Sequence, residues 1–307
     1  MSLPHITDEL VEAAVSAADA REALADAFLR FGREEAAMQA RIRSEAGGVK
    51  LSTLGAVIPG QEVVGAKVYT TIKGQFSFII LLFSSVDGRV LATFDAGAIT
   101  RLRTAGCSVI SAQRLARPEA STLAVFGSGP LGRAHAVQMA EVFPLRRVLL
   151  VSRSSDPALA AELEAACGIP TRLATAEQAA AEADIIVTAS RAPAALFSGD
   201  LLKPGCFIAA VGSSLPNTRE LDDRAMARAS LVAVEWRAQS LREAGDLVMA
   251  DPVALPPDKI VELGEILAGK ARGRTSEDEI TIYKSVGVGL QDIALAGLAY
   301  RRIVGLD

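Results

Sequence analysis

Residues 122–143, TLAVFGSGPLGRAHAVQMAEVF, decide the fold. An apolar run from Leu123 to Phe126 meets three glycines spaced Gly127-x-Gly129-x-x-Gly132, and an amphipathic helical pattern follows. Strand, glycine turn and helix in that order are the layout of a dinucleotide-binding turn. Gly127 permits the tight turn, Gly129 lets the backbone approach a pyrophosphate, and Gly132 lets the helix lie close against the strand. Ser128, Pro130 and Leu131 complete the turn and are read as cofactor contacts with Gly127 and Gly129. The helix N-terminus adds unpaired N–H groups and a partial positive charge for phosphates. Glycine is common in this chain, with 25 residues, so the spacing alone is a weak signal. Its surroundings carry the reading. From 121 onward the apolar segments TLAVF, RVLLVS, PTRLA, DIIVTA, CFIAAV and SLVAVE alternate with alanine-rich helical stretches, as a doubly wound parallel sheet requires.

The second of these strands bears on the nucleotide. It ends VLLVSRSSDP, and Arg153 stands where an acidic residue would grip the ribose 2′-hydroxyl. An arginine flanked by Ser152 and Ser154 suits a 2′-phosphate, which favours NADP(H) and leaves NAD(H) as the alternative. The competing reading has Arg153 stacking on the adenine.

Upstream of the turn lie more than a hundred residues of another character. Residues 7–45 read as helix, with Thr7 or Asp8 as a cap and Leu10, Val11, Ala14, Val15 and Ala18 at helical spacing. Between 49 and 95 the texture becomes β, with KGQ and SVDG as turns. A long helix, GAITRLRTAGCSVISAQRLARP, follows and ends at Pro118. The last segment, 280–303, begins as a strand and continues as a helix, and is expected to return to the first domain.

The totals narrow the function. The chain has 307 residues, 50% hydrophobic, enough for one large or two ordinary domains. A net charge of −4 without a basic run argues against nucleic-acid binding. No apolar segment approaches a bilayer span, and MSLPHITDEL lacks a signal pattern, so the cytoplasm is the expected location and no membrane partner is expected. Cys107, Cys167 and Cys206 lie far apart in apolar surroundings and read as buried free thiols. With only His5 and His135 and no Cys-x-x-Cys, no metal is expected.

Several phrases coincide in order and spacing: VGAKVYT (64–70), ITRLRTAGCSVISAQRLARP (99–118), FGSGPLGRAH (126–135), AAVGSSLPNTRELDD (209–223) and TIYKSVGVGLQD (281–292). Together they resemble the ornithine cyclodeaminase/mu-crystallin family, over nearly the whole chain. The resemblance implies a Rossmann domain inserted into a second, α+β domain for substrate binding and dimerisation, and a homodimer. The boundaries drawn on that basis are 1–118 plus 280–307 for the substrate domain and 119–279 for the dinucleotide-binding domain. It also accounts for the lateness of the glycine turn.

The chemistry so implied is hydride exchange at the α-carbon of an amino acid, amine to imine or the reverse. By resemblance Arg41 clamps the substrate carboxylate, with Arg43 as its substitute, and Lys67 is the second contact and the catalytic residue. Lys67 stands inside an apolar strand, between Ala66 and Val68. Arg103, with Thr104 beside it, resembles the arginine that meets the cofactor pyrophosphate, whereas Arg101 is read as facing solvent. Thr188, Ser190, Val211 and Gly212 end successive strands, where an open α/β sheet binds its ligand, and are expected at the nicotinamide. Ser285 is expected at the cofactor and Val286 at the substrate; Lys284 is read as able to face solvent. No role is assigned to Trp236.

One position departs from the family pattern. Ornithine cyclodeaminases carry an Asp just after the AVG turn, where this chain has Ser214, assigned here to the substrate. Without that carboxylate, deprotonating a diamine is harder, whereas reducing a preformed imine needs only a hydride and a proton; the competing view moves the role to Asp292. The expected activity is therefore NAD(P)H-dependent reduction of a 2-imino carboxylate, cyclic like pyrroline-2-carboxylate or open-chain like iminosuccinate, to an L-amino acid. Ornithine cyclodeamination, amino acid dehydrogenation of the alanine dehydrogenase type, and non-catalytic binding of NADPH or a small ligand are the alternatives.

Overall fold

The computed structural model describes residues 3–305. Contacts divide the chain into one unit formed by residues 1–107 and 287–307 and a second formed by residues 108–286.

The first unit is built on a six-stranded sheet: β1 (His5–Ile6), β2 (Ala37–Ala46), β3 (Val49–Ile58), β4 (Val63–Ile72), β5 (Gln75–Ser84) and β6 (Val90–Phe94), in the order β1-β6-β5-β4-β3-β2. Pairings from β2 to β6 are antiparallel, and β1 joins β6 in parallel. The expected helix over 7–45 is only partly formed. Helices cover Asp8–Ala14 and Ala17–Gly32, the second opened by a capping box in which Ser16 and Asp19 satisfy each other's backbone N–H groups. After Gly32 the chain leaves the helix, Glu34 adopting a left-handed φ of 68°, and 37–46 is strand. Ala37, Met38, Gln39 and Ala40 are good helix formers, so local propensity misleads here. What overrides it is the Gly47-Gly48 pair, with φ of 54° and 77°, a two-residue turn of the kind that folds one strand back on the next. Arg41 and Arg43 consequently lie on a strand.

The C-terminal helix, Gly289–Val304, packs on β3, β4 and the helix Ala17–Gly32. Every residue from Gly289 to Ala299 is buried, and apart from Gln291 and Asp292 all are small or apolar. Its approach to the sheet is close: a Cβ on Gly289 would stand 2.4 Å from the Gly55 carbonyl oxygen.

The second unit holds eight parallel strands: β7 (Thr122–Phe126), β8 (Arg147–Val151), β9 (Thr171–Leu173), β10 (Ile185–Thr188), β11 (Phe207–Ala210), β12 (Ala229–Val234), β13 (Ile260–Glu262) and β14 (Ile280–Lys284). Their order is β13-β12-β14-β11-β10-β7-β8-β9. The sequence reading found the first six of these as strands. β14 lies between β11 and β12, fully buried, rather than returning to the first domain. The return begins at Gly287, where the second unit ends. Winding reverses between β7 and β10, the switch point beside which doubly wound sheets bind ligands, and the glycine turn follows β7 there. Among the described residues no helix is long and apolar enough to cross a membrane.

Candidate functional site

In the first unit, Lys67 is carried on β4 and is 3% exposed. Its neighbours across the sheet are Leu54 on β3 and Ile80 on β5, so the apolar strand alternation that buries Val63 and Ile80 also buries this ammonium. The Nζ donates to Thr100 Oγ1 at 2.6 Å and to Asp292 Oδ1 at 3.1 Å, and lies 4.6 Å from the centre of the Phe78 ring. Thr100 comes from the helix Gly97–Leu115, and Asp292 from the first turn of the C-terminal helix, where it is fully buried. Burial pushes the Lys67 ammonium down from the ordinary lysine value; Asp292 pulls it up, while Arg103 and Arg41 push it further down, leaving it at about 8.

Arg103, one turn along from Thr100, donates from Nη1 to Gln291 Oε1 at 2.8 Å and brings Nε within 3.6 Å of Asp292 Oδ1. Arg41, partly buried, donates from Nη2 to the Gly287 carbonyl oxygen at 2.7 Å, whereas Arg43 is exposed. Gly287 cannot be another residue without strain: its φ is 77°, and a Cβ would stand 2.9 Å from Arg103 Nη1. Two cations thus meet one buried carboxylate, and Arg41 is near enough to push on the Lys67 ammonium. Thr104 is spent locally, its hydroxyl donating to the Thr100 carbonyl oxygen at 2.7 Å.

In the second unit, the glycine turn has three distinct glycines. A Cβ on Gly132 would come within 2.1 Å of the Gly127 carbonyl oxygen, and one on Gly127, whose φ is 121°, within 2.6 Å of the Ala189 carbonyl oxygen. Both are demanded by packing. A Cβ on Gly129 would meet nothing within 4 Å, so there the backbone is open to a visitor. The helix Pro130–Ala140 starts from Gly129 with no side-chain cap, which leaves its first N–H groups for an anion. A cavity of about 220 Å³ adjoins the turn, lined in part by Ser128, Pro130, Arg133 and Leu150. Leu131 opens the helix, its carbonyl oxygen 2.7 Å from His135 Nδ1, and His135 Nε2 is 2.9 Å from Ser108 Oγ. These features fit the pyrophosphate of a dinucleotide. Arg153 is exposed just beyond β8, next to Ser152, whose hydroxyl meets that of Ser128 at 3.2 Å.

Two buried carboxylates organise the loops that follow the strands, and the sequence reading named neither. Glu220 accepts from Thr188 Oγ1 at 2.9 Å, from Ser190 N and Oγ at 2.9 and 2.6 Å, from Gly212 N at 2.8 Å and from Ser213 N at 3.2 Å. Thr188, Ser190 and Gly212 thus spend these donors on the protein itself. Val211, next to Gly212, takes its N–H to the Thr188 carbonyl oxygen. Glu235 receives Ser285 Oγ at 2.6 Å and Val286 N at 2.8 Å, so both are held from β12. Lys284, read as able to face solvent, is fully buried: it lies 2.8 Å from Asp246 Oδ2 and donates to the Ser213 carbonyl oxygen at 2.6 Å. Asp246 Oδ1 accepts the N–H groups of Glu220 and Leu221. Ser214 is partly buried beside this network, and Trp236 precedes the helix Arg237–Glu243. Glu220 and Asp292 both stand inside the quoted phrases RELDD and KSVGVGLQD, which was the available signal for them.

Of the three cysteines, Cys107 and Cys206 are buried and Cys167 is only partly so; burial pushes the Cys206 thiol up to about 12.

Residues 6–306 match the profile of the ornithine cyclodeaminase/mu-crystallin family. A Delta(1)-pyrroline-2-carboxylate reductase of Bacillus cereus is 36% identical over 260 residues, covering 81% of this chain and 80% of its own. Among solved structures, a probable ornithine cyclodeaminase from Bordetella pertussis Tohama I is 56% identical, with a TM-score of 0.97 over 99% of this chain and 98% of that one. An archaeal alanine dehydrogenase dimer with bound NAD is 25% identical, with a TM-score of 0.92 over 100% of this chain and 97% of that one.

Proposed function

This chain belongs to the ornithine cyclodeaminase/mu-crystallin family, and from that premise we propose that it is an oxidoreductase that reduces 2-imino carboxylates to L-amino acids with NAD(P)H. The observation that carries the reading is the buried pairing of Lys67 and Arg103 with the carboxylate of Asp292, with Arg41 near enough to push on the same ammonium. Lys67 and Arg103 together carry one more charge than Asp292, and an anionic substrate is proposed to meet it.

Arg41 is assigned to the substrate carboxylate, because a guanidinium holds a carboxylate through two parallel N–H bonds. Lys67 is assigned to the imine nitrogen, to which its ammonium donates a proton. Ser214 and Val286 are assigned to the rest of the substrate. A bound reduced nicotinamide supplies the hydride that the imine carbon takes up. The protein's part is to fix the carboxylate and the nitrogen before transfer, which lowers the barrier by positioning, and to offer the proton where negative charge develops. The second unit's uncapped helix and open Gly129 are assigned to the cofactor pyrophosphate, and exposed Arg153 to a 2′-phosphate, so NADP(H) is the proposed preference over NAD(H).

A homodimer is proposed as the working form. Ile42, Leu51, Ile72 and Ile79, on β2 to β5 of the first unit's sheet, share one face and are exposed, an apolar surface that a second copy would cover.

The test is a panel of imines, made from different keto acids with ammonia or methylamine and including cyclic ketimines, offered with NADPH and with NADH. Oxidation of the reduced cofactor by some of them is expected, lost in Lys67→Ala. Absence of oxidation across the panel overturns the reading. Ornithine cyclodeamination, the activity in the name of the Bordetella relative, would instead show as proline formed from ornithine without added reductant; Ser214 in place of an acid argues against it.

A further inference from the structure

Asp292 belongs to none of the groups assigned above to substrate or cofactor, yet it is the one carboxylate among the cations. It is fully buried in the first turn of the helix Gly289–Val304. Its Oδ1 is shared, 3.1 Å from Lys67 Nζ and 3.6 Å from Arg103 Nε. Its Oδ2 is buried with no hydrogen-bond partner among the described residues. A buried carboxylate so placed has these two cations as its charged partners, and each side offsets the burial of the other.

We propose that Asp292 is a positioning residue for imine reduction: it anchors the Lys67 ammonium and the Arg103 guanidinium to the C-terminal helix and keeps Lys67 in the protonated form that serves the substrate nitrogen. The assignment rests on the reductase reading for its purpose, and on the geometry alone for the hold on Lys67. Lys67 faces charges from three elements: Asp292 on the C-terminal helix, Arg103 on the helix Gly97–Leu115, and Arg41 on β2. Its register partners on β3 and β5 are the apolar Leu54 and Ile80, it lies over the Phe78 ring, and on the long helix it donates to the neutral Thr100. Burial and both arginines oppose its charge, and Asp292 is the anion that favours it. Removing that anion leaves an ammonium in an apolar, cation-flanked place, where it sheds its proton.

The balance of the step follows. Lys67 gives one proton to the imine nitrogen while the imine carbon accepts hydride from the reduced nicotinamide; the C=N bond becomes CH–NH, the cofactor leaves oxidised, and neutral Lys67 recovers a proton from solvent. Asp292 is not consumed. It sets the state to which Lys67 returns.

The experiment is a proton titration of Lys67 in the full-length protein, labelled with [13Cε]lysine and assigned by comparison with Lys67→Arg. The wild type is expected to titrate near 8. Asp292→Asn should lower that midpoint by about one unit or more, and Asp292→Glu, which keeps the charge but displaces it, should fall between. If the Asn variant does not fold, the wild type and the Glu variant still give the order. Equal midpoints, or a Glu variant no higher than the Asn variant, overturn the proposal. In the kinetic arm, the alkaline limb of kcat/KM moves to lower pH in the same order, which a merely structural loss would not produce. An inactive wild type with the midpoint order intact would count against the reductase reading, and an active wild type with equal midpoints against Asp292.

Discussion

Two buried lysine–aspartate pairs, one in each unit, have similar lengths and different surroundings. Lys284 and Asp246 lie 2.8 Å apart in the second unit, Lys67 and Asp292 3.1 Å apart in the first. Around Lys284 the ammonium also donates to the Ser213 carbonyl oxygen, and Asp246 Oδ1 takes two backbone N–H groups while its Oδ2 faces that ammonium. Around Lys67 two further cations, Arg103 and Arg41, press on the same ammonium. A pair held by backbone groups fixes a loop, and one pressed by further cations invites a ligand. The contrast separates a scaffold from a site with the same two residue types.

The strongest way to break this contrast is to delete both lysines. Lys67→Ala should lower kcat/KM for imine reduction by ~10²–10⁴-fold, the range for losing a general acid, as read by steady-state cofactor oxidation. Because Lys67 sits at about 8 and acts in its protonated form, wild-type kcat/KM should hold below that pH and fall as pH rises through it. Lys284→Met should act on the other axis, costing about 3–5 kcal/mol in urea unfolding because Asp246 is left as an uncompensated buried charge. Should Lys284→Met abolish turnover in a fully folded protein, the division between scaffold and site fails.

Smaller changes sharpen it. Gly287→Ala should destabilise by roughly 1–2 kcal/mol from the left-handed backbone alone. It should also raise KM for the imine, because the new methyl crowds Arg103 and strains the carbonyl that holds Arg41. Unfolding and kinetics on one sample separate the two effects. Arg153→Ala should raise KM for NADPH about tenfold, one charge-assisted hydrogen bond, and leave NADH nearly unaffected. Equal effects on both cofactors would remove the 2′-phosphate assignment.

The misreadings have a common cause. Residues 37–45 read as helix because their first side chains favour one, and the ladder with β3 that outweighs them joins residues outside that local pattern. Lys284 was read as able to face solvent because lysine usually does, and the aspartate that buries it is 38 positions away in sequence. Ile280–Lys284 broke the strand–helix alternation in order, yet the space between β11 and β12 was its place. Arg41 and Lys67 come from short phrases in the order of the chain, and the structure leaves Arg41 partly buried and Arg43 exposed.

The sequence by itself determined the parallel sheet and its glycine turn, because strand alternation and glycine spacing are local patterns repeated within a few residues of each other. It also determined the family, because five phrases in fixed order leave little room for another. Only the tertiary structure decided that Asp292 answers Lys67 and Arg103, that Glu220 and Glu235 hold the loops, and which buried lysine is pressed by further cations. Each depends on the net of charges and hydrogen bonds around an atom, a sum over partners tens to hundreds of residues apart that no local pattern contains.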